Sequence, residues 1–273
     1  MLCHTARMPV ILSSAFAILA YVTAAALIVT AIARPPGPPR ALAPILAWLA
    51  VVTHGVLLFG LHRHGVDLHF FAALSLCGFG IALTTLAVSP ARPVAGLGVI
   101  VFPLAALLLA IDVFLAPATT PQPLEWQISL HAILALLSYS LLSIAAVLAI
   151  LLALQERALR QRHLDSGLIR ALPPLTLTEA LMFRLIAAGF VMLTLTLLSG
   201  VLFVDDLFAQ HLVHKTALSI ASWVVFGLLL FGRWRWGWRG RRAVRLTLAG
   251  MLILLLAFFG TKFVLELLLA RTG

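Results

Sequence analysis

The sequence predicts an all-α integral membrane protein, a bundle of about eight transmembrane helices with both termini extracytoplasmic. Three observations carry this expectation. Of 273 residues, 63% are apolar and only 10% charged, with a mean hydropathy of +1.12. A soluble domain normally carries about a quarter charged residues, so side chains this apolar are hidden only in lipid. The apolar runs are about 20 residues long and uninterrupted, not the alternating segments of about 10 residues that build a barrel, and helices satisfy their own backbone in hydrocarbon. Finally, Arg and Lys gather in alternate loops, the usual topological signal of a multi-pass protein.

The spans read as 9–32, 41–61, 67–88, 93–115, 127–154, 180–204, 212–232 and 243–269. Arg34-Pro35-Pro36-Gly37-Pro38-Pro39-Arg40 ends the first, because proline lacks a donor and clashes with the preceding turn. Ser89-Pro90-Ala91-Arg92-Pro93 and the stretch Ala116–Pro123 break the pattern in the same way. Gln155–Glu179 is the longest polar insert and Arg233–Arg242 the most basic. Loops 1–2, 3–4, 5–6 and 7–8, with Arg184, hold 14 of the 19 Lys and Arg residues, so that side is expected to be cytoplasmic. The other side holds Arg7, Arg63 and Arg271, with Lys215 and Lys262 in helix ends. Met1–Arg7 before an apolar run has the outline of a signal peptide, yet no A-x-A-like site followed by a soluble domain appears. An uncleaved first helix is expected, with Met8-Pro9 a plausible alternative start.

A net charge of +10 would suggest nucleic acid in a soluble protein, but here loop topology accounts for it and nucleic-acid binding is set aside. The two cysteines, Cys3 and Cys77, do not suggest a disulfide framework. No CxxCH is present, so the chain is not itself a c-type cytochrome, and no GxxxxGK[ST] encodes an ATP-driven step.

The rare polar residues point to one side. Six of the nine carboxylates fall at or near the outer face: Asp67, Asp112, Glu125, Asp205, Asp206 and Glu266. So do His62, His64, His69, His131, His211 and His214, whereas His163 is cytoplasmic. The positive-inside bias explains Arg and Lys but not imidazole, and such a surface suits metal, haem or proton chemistry. His131 opens helix 5 in Ser129-Leu130-His131-Ala132, on a face continued by Leu134, Ala135, Ser138 and Leu142, with Tyr139 one position round. It can present a ring nitrogen to iron, or simply be wetted by headgroups. His211 and His214 lie three apart at the start of helix 7 and share a face; metal ligation and a plain polar helix start both fit.

His54 lies within helix 2, roughly 10 Å below its outer end. A polar residue at that depth is a functional candidate or a neutral imidazole bonded to a neighbouring helix. Lys262 and Glu266, four apart, read most simply as a local ion pair, although both could line a cavity, and Asp112 is interfacial or buried against a partner. Trp234, Trp236 and Trp238 interleave with Arg233, Arg235 and Arg239, a pattern that anchors a hairpin at headgroup level and attracts anionic lipid.

A helix that begins with Lys215 and contains Trp223, then GWRGRR (237–242), then an apolar helix with FFG (258–260), resembles the cytochrome c assembly family. That family includes the haem-handling CcsA- and CcmC-type proteins, and the chain is most similar to its short eight-helix branch, the YpjD-type inner-membrane proteins. Leu130-His131 with Tyr139 also resembles the family's LHxxxxxxxY helix. The resemblance divides the chain into four N-terminal transmembrane helices, 1–125, and an assembly-like four-helix region, 126–273. It implies haem held at the outer face by histidines, with a tryptophan-rich platform, and places His131 at the histidine before that platform and Lys215 at the platform's lysine. Asp205-Asp206-Leu207-Phe208-Ala209-Gln210-His211 stands where the tryptophan-rich segment would be, and the second ligand histidine found after it in larger members is absent.

The leading expectation is therefore a bacterial inner-membrane protein, not an enzyme, that handles haem in cytochrome c biogenesis, in contact with membrane lipid and with other cytochrome c assembly proteins. Its haem-binding residues are His131 with His211 or His214, and His54 is a further candidate. The alternative is a divalent-cation transporter or accessory to cation efflux, using Asp112, Asp205, Asp206, Glu266 and the outer histidines. No span clearly carries a carboxylate at mid-membrane, as an ion path usually demands. A purely structural subunit is the third possibility.

Overall fold

The computed structural model describes residues 2–33, 42–61, 69–89, 95–116, 125–161, 174–203 and 210–260, the side chains of 2–8, 61, 95 and 210–212 excepted. The described residues form helices and no strand: α1 (Leu2–Ala33), α2 (Leu42–Leu61), α3 (Phe70–Val88), α4 (Gly98–Leu115), α5 (Trp126–Arg160), α6 (Leu175–Phe203), α7 (Gln210–Trp236) and α8 (Gly240–Leu255). A 3₁₀ turn, Ala95–Leu97, leads into α4, and a π-turn, Leu256–Gly260, continues α8. All eight carry a segment long and apolar enough to cross a membrane, as expected.

Several helices outrun the apolar spans. α1 begins at Leu2 and continues through Pro9, which removes one backbone bond without ending the helix. α5 extends to Arg160 and α6 starts at Leu175, so Gln155–Arg160 and Leu175–Glu179 are helical, not loop. Hydropathy marks the segment inside hydrocarbon, whereas Gln, Glu and Arg are good helix formers and carry the helix on into the headgroups. The basic stretch likewise folds into helix: α7 runs to Trp236 and α8 starts at Gly240, leaving Gly237–Arg239 as the turn. Gly237 and Gly240, at φ 65 and 56, supply the left-handed backbone this reversal needs.

The helices sort into two compact units, α1–α4 and α5–α8. In the first, α1 packs on α2 and α4, and α3 on α2 and α4, a closed ring of sequential helices. Small residues line its seams: Ala17, Ala20 and Ala24 on α1, Ala47 and Ala50 on α2, Ala72 and Ala73 on α3, and Ala105 and Ala106 on α4 are buried. Lipid offers no hydrophobic drive between helices, so close backbone approach and buried hydrogen bonds hold them. Phe16, Leu19, Val56 and Phe59 remain exposed, as lipid-facing side chains do.

The second unit has the same cyclic order, α5–α6–α7–α8 and back to α5. Its cross-helix bonds fix the directions. Ser138 Oγ donates to the Gly189 carbonyl at 3.1 Å and His131 meets Ser199, so α5 and α6 are antiparallel. Trp223 Nε1 donates to Thr194 Oγ1 at 2.9 Å, and Ser222 Oγ to the Gly250 carbonyl at 2.9 Å. Tyr139 Oη donates to the Leu254 carbonyl at 2.6 Å, closing α8 onto α5. At Gly189 a Cβ would lie 2.7 Å from Leu142 Cγ; only glycine admits so close an approach. This up-down bundle gathers the first residues of α5 and α7 and the last of α6 and α8 at one end, and the arginine-rich helix termini at the other.

Candidate functional site

His131 stands in the second turn of α5, half-buried against α6. Its Nδ1 lies 2.9 Å from Ser199 Oγ. The Ser199 hydroxyl has one proton and donates it to the Thr196 carbonyl at 2.8 Å. With that bond made, the oxygen is left to accept from Nδ1–H. In that tautomer Nε2 keeps its lone pair, and it has no partner among the described residues. The ring packs beside Gly200, where an added Cβ would meet His131 Cε1 at 3.4 Å, an ordinary van der Waals contact. One turn nearer the end, Trp126 and Phe203 meet edge to face with ring centroids 5.7 Å apart. Deeper in the unit, Tyr139 contacts Phe258 and Phe259, both at 5.9 Å, on the π-turn of α8.

The other expected ligands are placed as follows. His214 is exposed on α7, at the same end of the unit as His131. His211 belongs to the first turn of α7, and its side chain lies outside the described residues. His54 is wholly buried inside α1–α4, with Nδ1 3.4 Å from Tyr21 Oη and Nε2 3.1 Å from Ser75 Oγ. Both its nitrogens are engaged by protein, and Phe79 meets the ring edge to face at 5.5 Å. His69 caps α3, its Nδ1 accepting from the Ala72 N–H at 3.0 Å. Asp112 is buried in α4 and Glu125 exposed before α5. His62, His64, Asp67, His163, Asp205, Asp206, Lys262 and Glu266 lie outside the described residues. Among the described residues no three His, Cys, Asp or Glu side chains converge as a metal site.

Two polar arrangements escape a reading of the sequence. One is Ser199, an unremarked hydroxyl in an apolar run. The other is Glu179 on α6, buried at the opposite end of the second unit. Its carboxylate binds Arg239 at 2.9 Å and Arg233 at 3.6 Å and accepts from the Gly240 N–H at 3.3 Å. The clamp thus ties α6 to both arms of the α7–α8 hairpin. Its only sequence trace is a lone acid ending a polar insert, with no periodicity to name its partners.

Residues 39–269 match the family described as cytochrome C assembly protein. The chain is 34% identical over 262 residues to the inner membrane protein YpjD of Escherichia coli (strain K12), covering 92% of this chain and 97% of that one. It is 42% identical over 144 residues to an uncharacterized 28.8 kDa protein of Azospirillum brasilense, covering 52% and 53% of the two chains. It is 24% identical over 169 residues to the cytochrome c biogenesis protein CcsA of Synechococcus sp. (strain CC9902), covering 54% and 55%. No solved structure matches it. The matched segment reaches back through α2, α3 and α4, well beyond the part from Trp126 onward on which the motifs alone rest. With eight membrane-length helices and a match over most of its length, the chain belongs to the cytochrome c assembly protein family.

Proposed function

We propose that this protein is a multi-pass inner-membrane protein that handles haem during cytochrome c biogenesis, with the iron bound by His131. One observation carries the reading: an imidazole at the end of a membrane bundle whose Nδ1–H is fixed by Ser199 and whose Nε2 lone pair has no described protein partner. A neutral imidazole with its second nitrogen bonded to the protein is the form that ligates iron. The apolar flank of Trp126 and Phe203 suits a macrocycle better than a hydrated ion. Haem, when bound, would supply an iron centre that accepts imidazole nitrogen.

The chain's own part is to hold and orient it. His131 gives one ligand, and α7, whose first turns lie at the same end, offers His211 or His214 as the second. Arginines crowd the other end, which by the positive-inside rule faces the cytoplasm, so the histidine end faces out. No reacting group is required of the protein, which acts as a binder and not as an enzyme, alongside other assembly proteins. His54, with both nitrogens engaged, serves the fold.

The test is an absorption spectrum of the detergent-purified protein from haem-replete cells. A Soret band is expected, and His131→Ala should lower haem content by more than about tenfold, since losing even a ligand's orienting partner costs about that much. Protein that carries no haem and has no affinity for added haem defeats the proposal.

A further inference from the structure

At the end of the second unit opposite His131, one helix start runs against helix electrostatics. α8 opens with Arg239 as its N-cap, Arg241 and Arg242 in the first turn, Arg245 in the next, and no acid in the first turn. A helix N-terminus carries positive partial charge and favours anions. Arg241 and Arg245 are four apart, and Arg242 and Arg245 three apart, so like charges also sit side by side. The other arginines here obey the rule: Arg157 and Arg160 end α5, and Arg233 and Arg235 end α7, where cations are favoured.

One nearby acid answers the helix start itself but not the three arginines that follow. Glu179 is held by Arg239, Arg233 and the Gly240 N–H. Glu156 lies beside Gly240, where its Oε1 would be 3.0 Å from an added Cβ, and makes no ion pair with a described arginine. Arg241, Arg242 and Arg245 are exposed, with no carboxylate partner among the described residues. Aromatic rings set their depth. Arg242 lies over Trp238 at 4.8 Å, Trp236 stacks on Trp238 at 5.5 Å, and Trp234 is 81% exposed. Tryptophans so placed sit at headgroup level, where the nearest abundant anion is a lipid phosphate, and the guanidinium fork matches its oxygens.

We propose that Arg241, Arg242 and Arg245 form a binding site for the phosphate of an anionic phospholipid in the adjoining leaflet. The bound phosphate offsets the like charges of the three guanidiniums and holds the α7–α8 hairpin against the membrane. This site does not depend on haem.

The full chain in neutral detergent is titrated with phosphatidylglycerol, phosphatidylcholine or inorganic phosphate, reading the unfolding temperature and the lipid retained in native mass spectrometry. Each arginine near an anionic surface gives about a fivefold preference, so the three together should favour phosphatidylglycerol over phosphatidylcholine on the order of a hundredfold. The R241Q/R242Q/R245Q variant should lose nearly all of that preference and R157Q/R160Q should keep it. The corresponding Lys triple, which retains charge without the fork, should keep only part. If the Gln triple does not fold, R245Q alone should lose about fivefold. A Gln variant as selective as the wild type overturns the site, as does equal retention of the two lipids. Equal stabilisation by inorganic phosphate overturns the lipid assignment, and a Lys triple matching the wild type overturns the role of the fork.

Discussion

The α1–α4 and α5–α8 units are wired alike, each a closed ring of four sequential helices, and each sets one histidine against a serine of a neighbouring helix. What differs is how many of the ring's nitrogens the protein takes. In the first unit Tyr21 and Ser75 take both nitrogens of His54, and none of the three residues is exposed. In the second, Ser199 takes Nδ1 of the half-buried His131, and Nε2 has no partner among the described residues. A polar side chain in a membrane is often read as a functional site by default. On the reading proposed above, depth alone does not decide this. A fully partnered imidazole is a strut between helices; one left half-partnered at the rim keeps a lone pair for a ligand.

The sharpest way to break this comparison is to remove the strut. His54→Ala opens a cavity in α1–α4 and strands the Tyr21 and Ser75 hydroxyls, a loss of about 2–4 kcal/mol. Denaturant unfolding in detergent should register that loss, while haem per folded protein stays at the wild-type value. Unchanged stability with lost haem would make His54 a ligand and erase the distinction between the units.

The units also differ in charge. The second carries an ion-pair clamp in which Glu179 joins α6 to the α7–α8 hairpin. Arg239 is largely exposed, and the Glu179 bond and charge hold its guanidinium above its ordinary pKa. The buried partner matters more, because its loss leaves Arg233 and the Gly240 N–H unanswered. Glu179→Ala should lower the unfolding temperature by roughly 5 °C, and Glu179→Gln, which still accepts from Gly240, by about half as much. Equal effects of the two would place the contribution in shape, not charge.

Much of this was legible in the sequence, for physical reasons. Hydrocarbon demands apolar side chains and internally bonded backbone, so the eight spans stand out. The family resemblance rests on local strings such as GWRGRR, which a sequence carries whole. Helix ends were less legible: Gln155–Arg160 and Leu175–Glu179 are polar yet helical, because hydropathy follows the membrane and not the backbone. Pairings between distant helices left no trace. His131 was visible as a lone imidazole, but its ring partner is Ser199, 68 residues away, and Glu179 meets Arg239 across 60 residues. The match of α2–α4 to the family was missed as well, since those helices carry general apolar character and no distinctive string.

The finest difference between the units rests on the Ser199 hydroxyl, which can be removed without touching the ligand. Ser199→Ala frees the ring to take either tautomer and to rotate, so a fraction of the molecules present N–H where Nε2 should offer its lone pair. Loss of such an orienting contact weakens a metal site by about tenfold, and haem affinity should fall by that amount while His131 remains in place. Ser199→Thr keeps the hydroxyl and should restore most of the affinity. In the haem-free protein, ¹⁵N shifts of labelled histidine should report Nδ1 as protonated in the wild type and mixed tautomers in Ser199→Ala. A wild-type ring protonated at Nε2 would mean that Ser199 donates to His131 instead, and the open coordination position argued for this imidazole would be lost.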